Sequence, residues 1–274
     1  MQTEKNEKTI FLNPPLYHQC FRWWYSFFIQ KKEVSFMNEV IKSEKLCKTY
    51  NKTPAVNNIS LSVKRGTVFG LIGANGAGKS TTIECILGTK TADSGEISIL
   101  GMNPQTSRKQ LFQKVGVQFQ EATYQDNITV SELCEVTAAL YQESADPEKL
   151  LQKFGIAGKA KSQIKDLSGG ERQRLFVILA LIPNPEVVFL DELTTGLDAR
   201  ARRQVWNILS SLKENGLTIF LTSHFMDEIE NLCDCICILK KGKIIFYGTV
   251  AEAVESNPFD HFEDAYLWYT DEEE

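Results

Sequence analysis

A nine-residue run, GANGAGKST at positions 73–81, constrains this chain more than anything else in it. Gly73, Gly78, Lys79 and Ser80 meet the pattern G-x-x-x-x-G-K-[ST], with the apolar TVFGLI before it and TTIECIL after it. Strand, glycine turn and helix in that order build a parallel sheet, so the chain is expected to be α/β. The chemistry sets the residue types. Along Gly73, Ala74, Asn75, Gly76, Ala77 and Gly78, small side chains let backbone N–H groups wrap a phosphate. The helix opening at Lys79, Ser80 and Thr81 adds about half a positive charge at its N-terminus. Lys79 is expected to pair with the β- and γ-phosphates of a nucleotide, and Ser80 to ligate Mg²⁺.

Such a loop calls for acid on a second strand. EVVFLDE supplies it: Val187 to Leu190 read as a buried parallel-type strand ending in Asp191 and Glu192. Side chains alternate along a strand, so the carboxylates can hold separate jobs. Asp191 suits the Mg²⁺ shell and Glu192 a general base for attacking water. The next unit repeats the logic. RRQVWNILSSLKENG sets Val205, Leu209 and Leu212 on one helical face with Gly216 as a cap. LTIFLTSH then gives a buried strand ending at His224, where open α/β sheets bind ligand.

LSGGERQR poses a question. Ser168 and Glu171 form an S-x-x-E capping box, and Gly169 and Gly170 leave the helix start bare, which makes a second cradle for an anion. One nucleotide can hardly need both cradles from one small domain. The economical arrangement is two copies facing each other, each site taking its phosphate loop from one chain and the Ser168 turn from the other.

The charge balance excludes one class of partner. Thirty Lys and Arg against 35 Asp and Glu leave −5, which argues against retention on nucleic acid by bulk electrostatics. No apolar run approaches the roughly 18 residues of a membrane span, and LFVILALI stops at Pro183 and reads as a buried helix. Seven cysteines without disulfide-framework spacing fit a reducing cytosol. CDCIC is expected to set Cys233, Cys235 and Cys237 on one face of an extended segment, as small buried side chains rather than a zinc site.

Residues 1–36 stand apart. Trp23, Trp24, Tyr25, Phe27 and Phe28 beside Arg22, Lys31 and Lys32 read in one way as an interfacial anchor. The competing reading comes from codons: Lys32-Glu33-Val34 can be encoded by a ribosome-binding sequence at natural spacing from Met37. Translation is therefore expected to start at Met37, with 1–36 an extension that is not translated.

In order, GANGAGKST, LSGGE, VVFLDE, GLD and TSH resemble the ATP-binding-cassette (ABC) ATPases over nearly all of 38–274. The resemblance implies a P-loop NTPase fold with a parallel-sheet core, an N-terminal antiparallel β portion and an inserted helical lobe. That lobe should occupy about 125–170 and open on the capping box TVSE from Thr129 to Glu132, with a helical tail at about 249–270. The resemblance further implies that Tyr50 stacks on adenine, and that Gln120 touches Mg²⁺ and signals to a membrane partner. Ser168, Gly169, Gly170 and Glu171 match the signature motif, Asp198 a dimer contact and His224 the switch histidine beside the γ-phosphate. Leu193 departs from the proline of many relatives, which leaves the backbone after the acids less constrained. The insertion is too short for the coiled coil of chromosome or DNA-repair relatives.

The implied function is that of an ATP-hydrolysing subunit at the cytoplasmic face of a bacterial membrane. It would use ATP and Mg²⁺, pair with a second ATPase protomer and drive an integral-membrane permease, with no nucleic-acid partner. LCDCICILKKGKIIFYGTVAEAV and FEDAYLWYT resemble the ends of drug, antibiotic or peptide exporter subunits, so export is expected. An importer ATPase and a soluble non-transport ATPase of the same superfamily are the alternatives. Intact Glu192 and an intact signature favour a homodimer.

Overall fold

Two sheets of different character divide the chain. The computed structural model describes residues 38–119, 127–194 and 196–271. The first strands, β1 (Glu39–Tyr50) and β2 (Thr53–Lys64), meet at Asn51 and Lys52, whose φ of 47° and 68° suit a tight hairpin. Next come β3 (Val68–Gly73), α1 (Lys79–Ile86) and β4 (Ser94–Ile99). β4 pairs with the far side of β1, so β2-β1-β4 form the antiparallel sheet expected at the N-terminus.

The remaining elements build around β3. They are α2 (Arg108–Leu111), β5 (Val115–Gln118), α3 (Val130–Ala138), α4 (Pro147–Lys153), α5 (Gly169–Leu181), β6 (Val187–Asp191), α6 (Ala199–Glu214), β7 (Thr218–Ser223), α7 (Met226–Leu232), β8 (Cys235–Lys240) and β9 (Lys243–Gly248). A second sheet orders its strands β5-β6-β7-β3-β8-β9. All its pairings are parallel except the terminal hairpin of β8 and β9.

Burial explains the sequence of this sheet. Every residue of β3, β6 and β7 is buried, which is why VFGLIG, VVFLD and TIFLTS read as apolar runs without alternation. Alternation persists underneath. Val188, Leu190, Ile219 and Leu221 join one core, while Val187, Phe189 and Phe220 join the other. In the second core Phe69, Phe220 and Phe189 pack ring to ring at 5.1 Å across three neighbouring strands, each burial contributing about 1.5–3 kcal/mol.

Helix α5 crosses the first core with Leu175 through Leu181 all buried, as LFVILALI led us to expect. It lies so close to β5 that a Cβ on Gly116 would come within 1.8 Å of the Ala180 carbonyl oxygen. Between β5 and α5, helices α3 and α4 send Leu133, Cys134, Leu151 and Phe154 into this same core. The Thr129 box forms in full: the Thr129 amide donates to Glu132 Oε2 at 2.9 Å, and the Glu132 amide to Thr129 Oγ1 at 3.3 Å.

The CDCIC expectation needs correcting. Cys235 and Cys237 lie on β8 and belong to the second core, but Cys233 precedes the strand as the C-cap of α7 and packs against the first. The alternation argument fails because the helix runs to Leu232, so the three thiols do not share one face. The chain ends in α8 (Val250–Glu255), started by a Thr249–Glu252 capping box, and α9 (Phe262–Thr270). Phe262 and Ala265 are fully buried and anchor α9, and Lys240 Nζ donates to the Asp271 carbonyl at 2.6 Å. Residues 1–36, Met37 and Gln120 lie outside the described residues.

Candidate active site

The strand order decides which loops meet. β6, β7 and β3 are parallel neighbours, so their carboxyl ends deliver the acid pair, His224 and the phosphate loop to one edge. There a cleft of about 580 Å³ is lined by Gly73, Ala74, Asn75, Gly76, Lys79, Ser80, Glu192, His224 and Tyr266. Ala77 is buried against the second core, and Thr81 is half-buried in α1. Gly78 has φ 104°, and a Cβ there would meet the Ala55 carbonyl oxygen at 2.3 Å, so the turn into α1 has room only for glycine. Lys79 Nζ donates to the carbonyls of Gly73 (2.7 Å) and Ala74 (3.2 Å), which folds the loop around the ammonium. Burial lowers the Lys79 pKa, while the charges of Glu192 and Asp191 act to raise it.

The two acids are set by a residue that the sequence did not single out. Thr222 lies opposite Asp191 in the β6–β7 register. Its hydroxyl donates to Asp191 Oδ1 and accepts from the Glu192 amide at 3.0 Å, so one side chain fixes both positions. Glu192 leaves the strand at φ 50°, in the left-handed region that non-glycine residues seldom occupy outside constrained sites. Its Oε1 is 3.8 Å from His224 Nδ1. Leu193 is buried, and its carbonyl accepts from Gln173 Nε2 at 2.7 Å. That bond from α5 restrains the backbone where the expected proline is missing.

A divalent cation would find hard oxygen donors here. Ser80 lines the cleft, Asp191 is a buried carboxylate at the end of β6 next to the cleft-lining Glu192, and the described residues hold no cluster of three or more His, Cys, Asp or Glu suited to a metal. One carboxylate and one hydroxyl, completed by substrate phosphates and water, are the donor set Mg²⁺ favours, so these residues fit that ion.

Burial raises the Asp191 pKa, the Thr222 hydrogen bond opposing it. A carboxyl raised in the fold stabilises the native state fully below its unfolded pKa and loses that contribution as pH rises through the folded pKa. The nucleotide-free Asp191→Asn variant is therefore expected to melt above wild type at neutral pH, by about 2–4 °C per kcal/mol regained. The gap should close as pH falls into the carboxylate range. Calorimetry across pH checks this, and a neutral-pH melting point below wild type contradicts it.

The second cradle lies elsewhere. Ser168 caps α5 with both halves of its box in place: its amide donates to Glu171 Oε2 at 2.9 Å, and the Glu171 amide to Ser168 Oγ at 3.3 Å. The Ser168 amide and Lys159, 3.2 Å away, hold Glu171 below the usual carboxylate range. The first-turn amides at Gly169 and Gly170 have no intrahelical acceptors. None of Ser168, Gly169, Gly170 and Glu171 lines the cleft of its own chain. Asp198 N-caps α6, its Oδ1 accepting from the Ala201 amide at 2.8 Å. Tyr50, at the end of β1, is exposed and outside the cleft lining, with Lys48 and Lys90 ammonium groups 5.5 and 5.7 Å from its ring centre.

Comparison with known proteins agrees with this geometry. The sequence profile of the ABC transporter family matches residues 56–195. The Nod factor export ATP-binding protein I of Cupriavidus pinatubonensis is 37% identical over 228 residues, 81% of this chain and 70% of that protein. The linearmycin resistance ATP-binding protein LnrL of Bacillus subtilis is 35% identical over 215 residues, 77% of this chain and 69% of that one. A solved ATP-binding subunit of an ABC transporter superimposes with a TM-score of 0.78 at 25% identity, covering 85% of this chain and all of that one. With this sheet order, this cleft and these relatives, the chain belongs to the ABC transporter family, as one of its ATPase cassettes.

Proposed function

We propose that this cassette hydrolyses ATP to power a bacterial exporter, working as a pair of chains on a separate membrane permease. The observation that carries the reading is the single cleft in which the phosphate loop, Glu192 and His224 meet. In it the loop amides and Lys79 bind the β- and γ-phosphates, and Glu192 orients the attacking water and takes its proton. His224 holds the γ-phosphate beside that base. Ser80 and Asp191, with Gln120 in the role that the family resemblance gives it, would hold Mg²⁺, which when bound neutralises charge between the β- and γ-phosphates. Tyr50 is the candidate adenine platform, flanked by two lysines.

Export is favoured by the printed names of relatives, one a Nod factor export protein and one a linearmycin resistance protein. No described helix is long and apolar enough to cross a membrane, and the exporter names of the relatives support a membrane permease as the partner. Pairing with a second cassette is supported by the Ser168 turn standing outside its own chain's cleft.

The test is purification of the tagged chain from its native cell in mild detergent. A multi-span permease is expected to come with it, and vesicles holding the two should move cargo outward with ATP. Recovery of the chain at full hydrolytic activity with no membrane protein bound would overturn the reading.

A further inference from the structure

One side chain in the cleft belongs to none of the family's motifs. Tyr266 comes from α9, more than forty residues beyond His224, yet it shares the cleft with Lys79, Glu192 and His224. Its position is fixed from behind. On the same helix Phe262 is fully buried in the first core, Ala265 is fully buried, and Tyr269 packs on Phe246 at 5.2 Å between ring centres. Thr270 Oγ1 donates to the Tyr266 carbonyl at 2.8 Å, and Lys240 Nζ closes the helix end. The Tyr266 ring is half-buried against that core, while no described protein group accepts the hydrogen of its hydroxyl.

We infer that the Tyr266 hydroxyl donates a hydrogen bond to a non-bridging oxygen of the terminal phosphate of a bound nucleoside triphosphate. The inference rests on the ATPase reading above. The residues that share the cleft with it choose the phosphate: Lys79 addresses the β- and γ-phosphates, and Glu192 and His224 act at the γ end. Burial raises the Tyr266 pKa, so the phenol keeps its proton and remains a donor. A phenol O–H without an acceptor among the described residues, on a half-buried side chain that lines a site for a multiply charged anion, gains a charge-assisted bond when that anion arrives. Nucleoside diphosphate lacks the acceptor. Tyr266 therefore discriminates ATP from ADP, and it makes the C-terminal helix part of the nucleotide site rather than a cover over the core.

The experiment titrates the full chain with Mg²⁺ and either ADP or a non-hydrolysable ATP analogue, comparing wild type with Tyr266→Phe. Phenylalanine keeps the ring and its packing, so melting should be unchanged, and a purely structural role would leave both affinities alone. Loss of a hydrogen bond to a charged group is expected to weaken analogue binding about tenfold or more with ADP binding unmoved. An unchanged ratio of the two affinities, with both ligands bound by wild type, overturns the Tyr266 assignment and leaves the ATPase reading standing. Failure of wild type to bind either nucleotide overturns both.

Discussion

Glu192→Gln is expected to lower ATP turnover by about 10²–10⁴-fold, or roughly 3–5 kcal/mol in the barrier, while ATP still binds. The substitution changes little but basicity. The amide has the volume of the carboxylate, and the backbone bond from the Glu192 amide to Thr222 Oγ1 is indifferent to the side chain. Lys79 keeps its bonds to Gly73 and Ala74, so the cradle survives. What is lost is the carboxylate proposed to take the water's proton, beside His224 at 3.8 Å. Removing one negative charge from a cleft that receives a triphosphate also reduces repulsion with the ligand. ATP should therefore hold the paired state for longer. Phosphate release measures the first effect, and size-exclusion with and without ATP measures the second. Turnover at the wild-type rate would remove Glu192 from the base's role.

The elements legible in the sequence were those whose residue types follow from local physics. Gly78 must be glycine because its φ is 104° and Ala55 crowds it, and that requirement shows up as a motif. The runs around Val187 and Thr218 read as buried strands because both faces are covered. The capping boxes at Thr129 and Ser168 close within four residues, so three-residue spacing is enough to find them.

What escaped is non-local. Thr222 earns its place by lying opposite Asp191 across a strand pair, a relation fixed only once β6 and β7 are known to be neighbours in that register. Tyr266 reaches the cleft because α9 is anchored through Phe262 and Ala265, and no spacing announces that. Cys233 misled for the opposite reason: strand periodicity was applied to a residue that ends a helix. In each case the missing information is tertiary.

The arrangement of the two cradles predicts the outcome of mixing two inactive chains. A chain carrying Lys79→Ala lacks the ammonium of the phosphate loop, and a chain carrying Gly169→Asp places a carboxylate at the signature turn. Nothing lies within 4 Å of a Cβ added at Gly169, and acid in a helix's first turn suits its dipole, so this variant should fold. It should nonetheless repel a phosphate. Alone, each variant pairs with itself and spoils both sites, one through the loop and the other through the turn. In a mixed pair the damage coincides: the altered loop faces the altered turn at one site, and the other site joins the unaltered loop of the Gly169→Asp chain to the unaltered turn of the Lys79→Ala chain. Mixed pairs isolated through two different tags are therefore expected to recover about half the wild-type turnover, from one intact site of the two that a symmetric dimer holds. Sites confined to single chains give no recovery, because every chain in the mixture then carries its own defect. The contrast is between near-background and half-maximal rates, and a flat result in cleanly isolated mixed pairs would overturn the sharing of the Ser168 turn between chains.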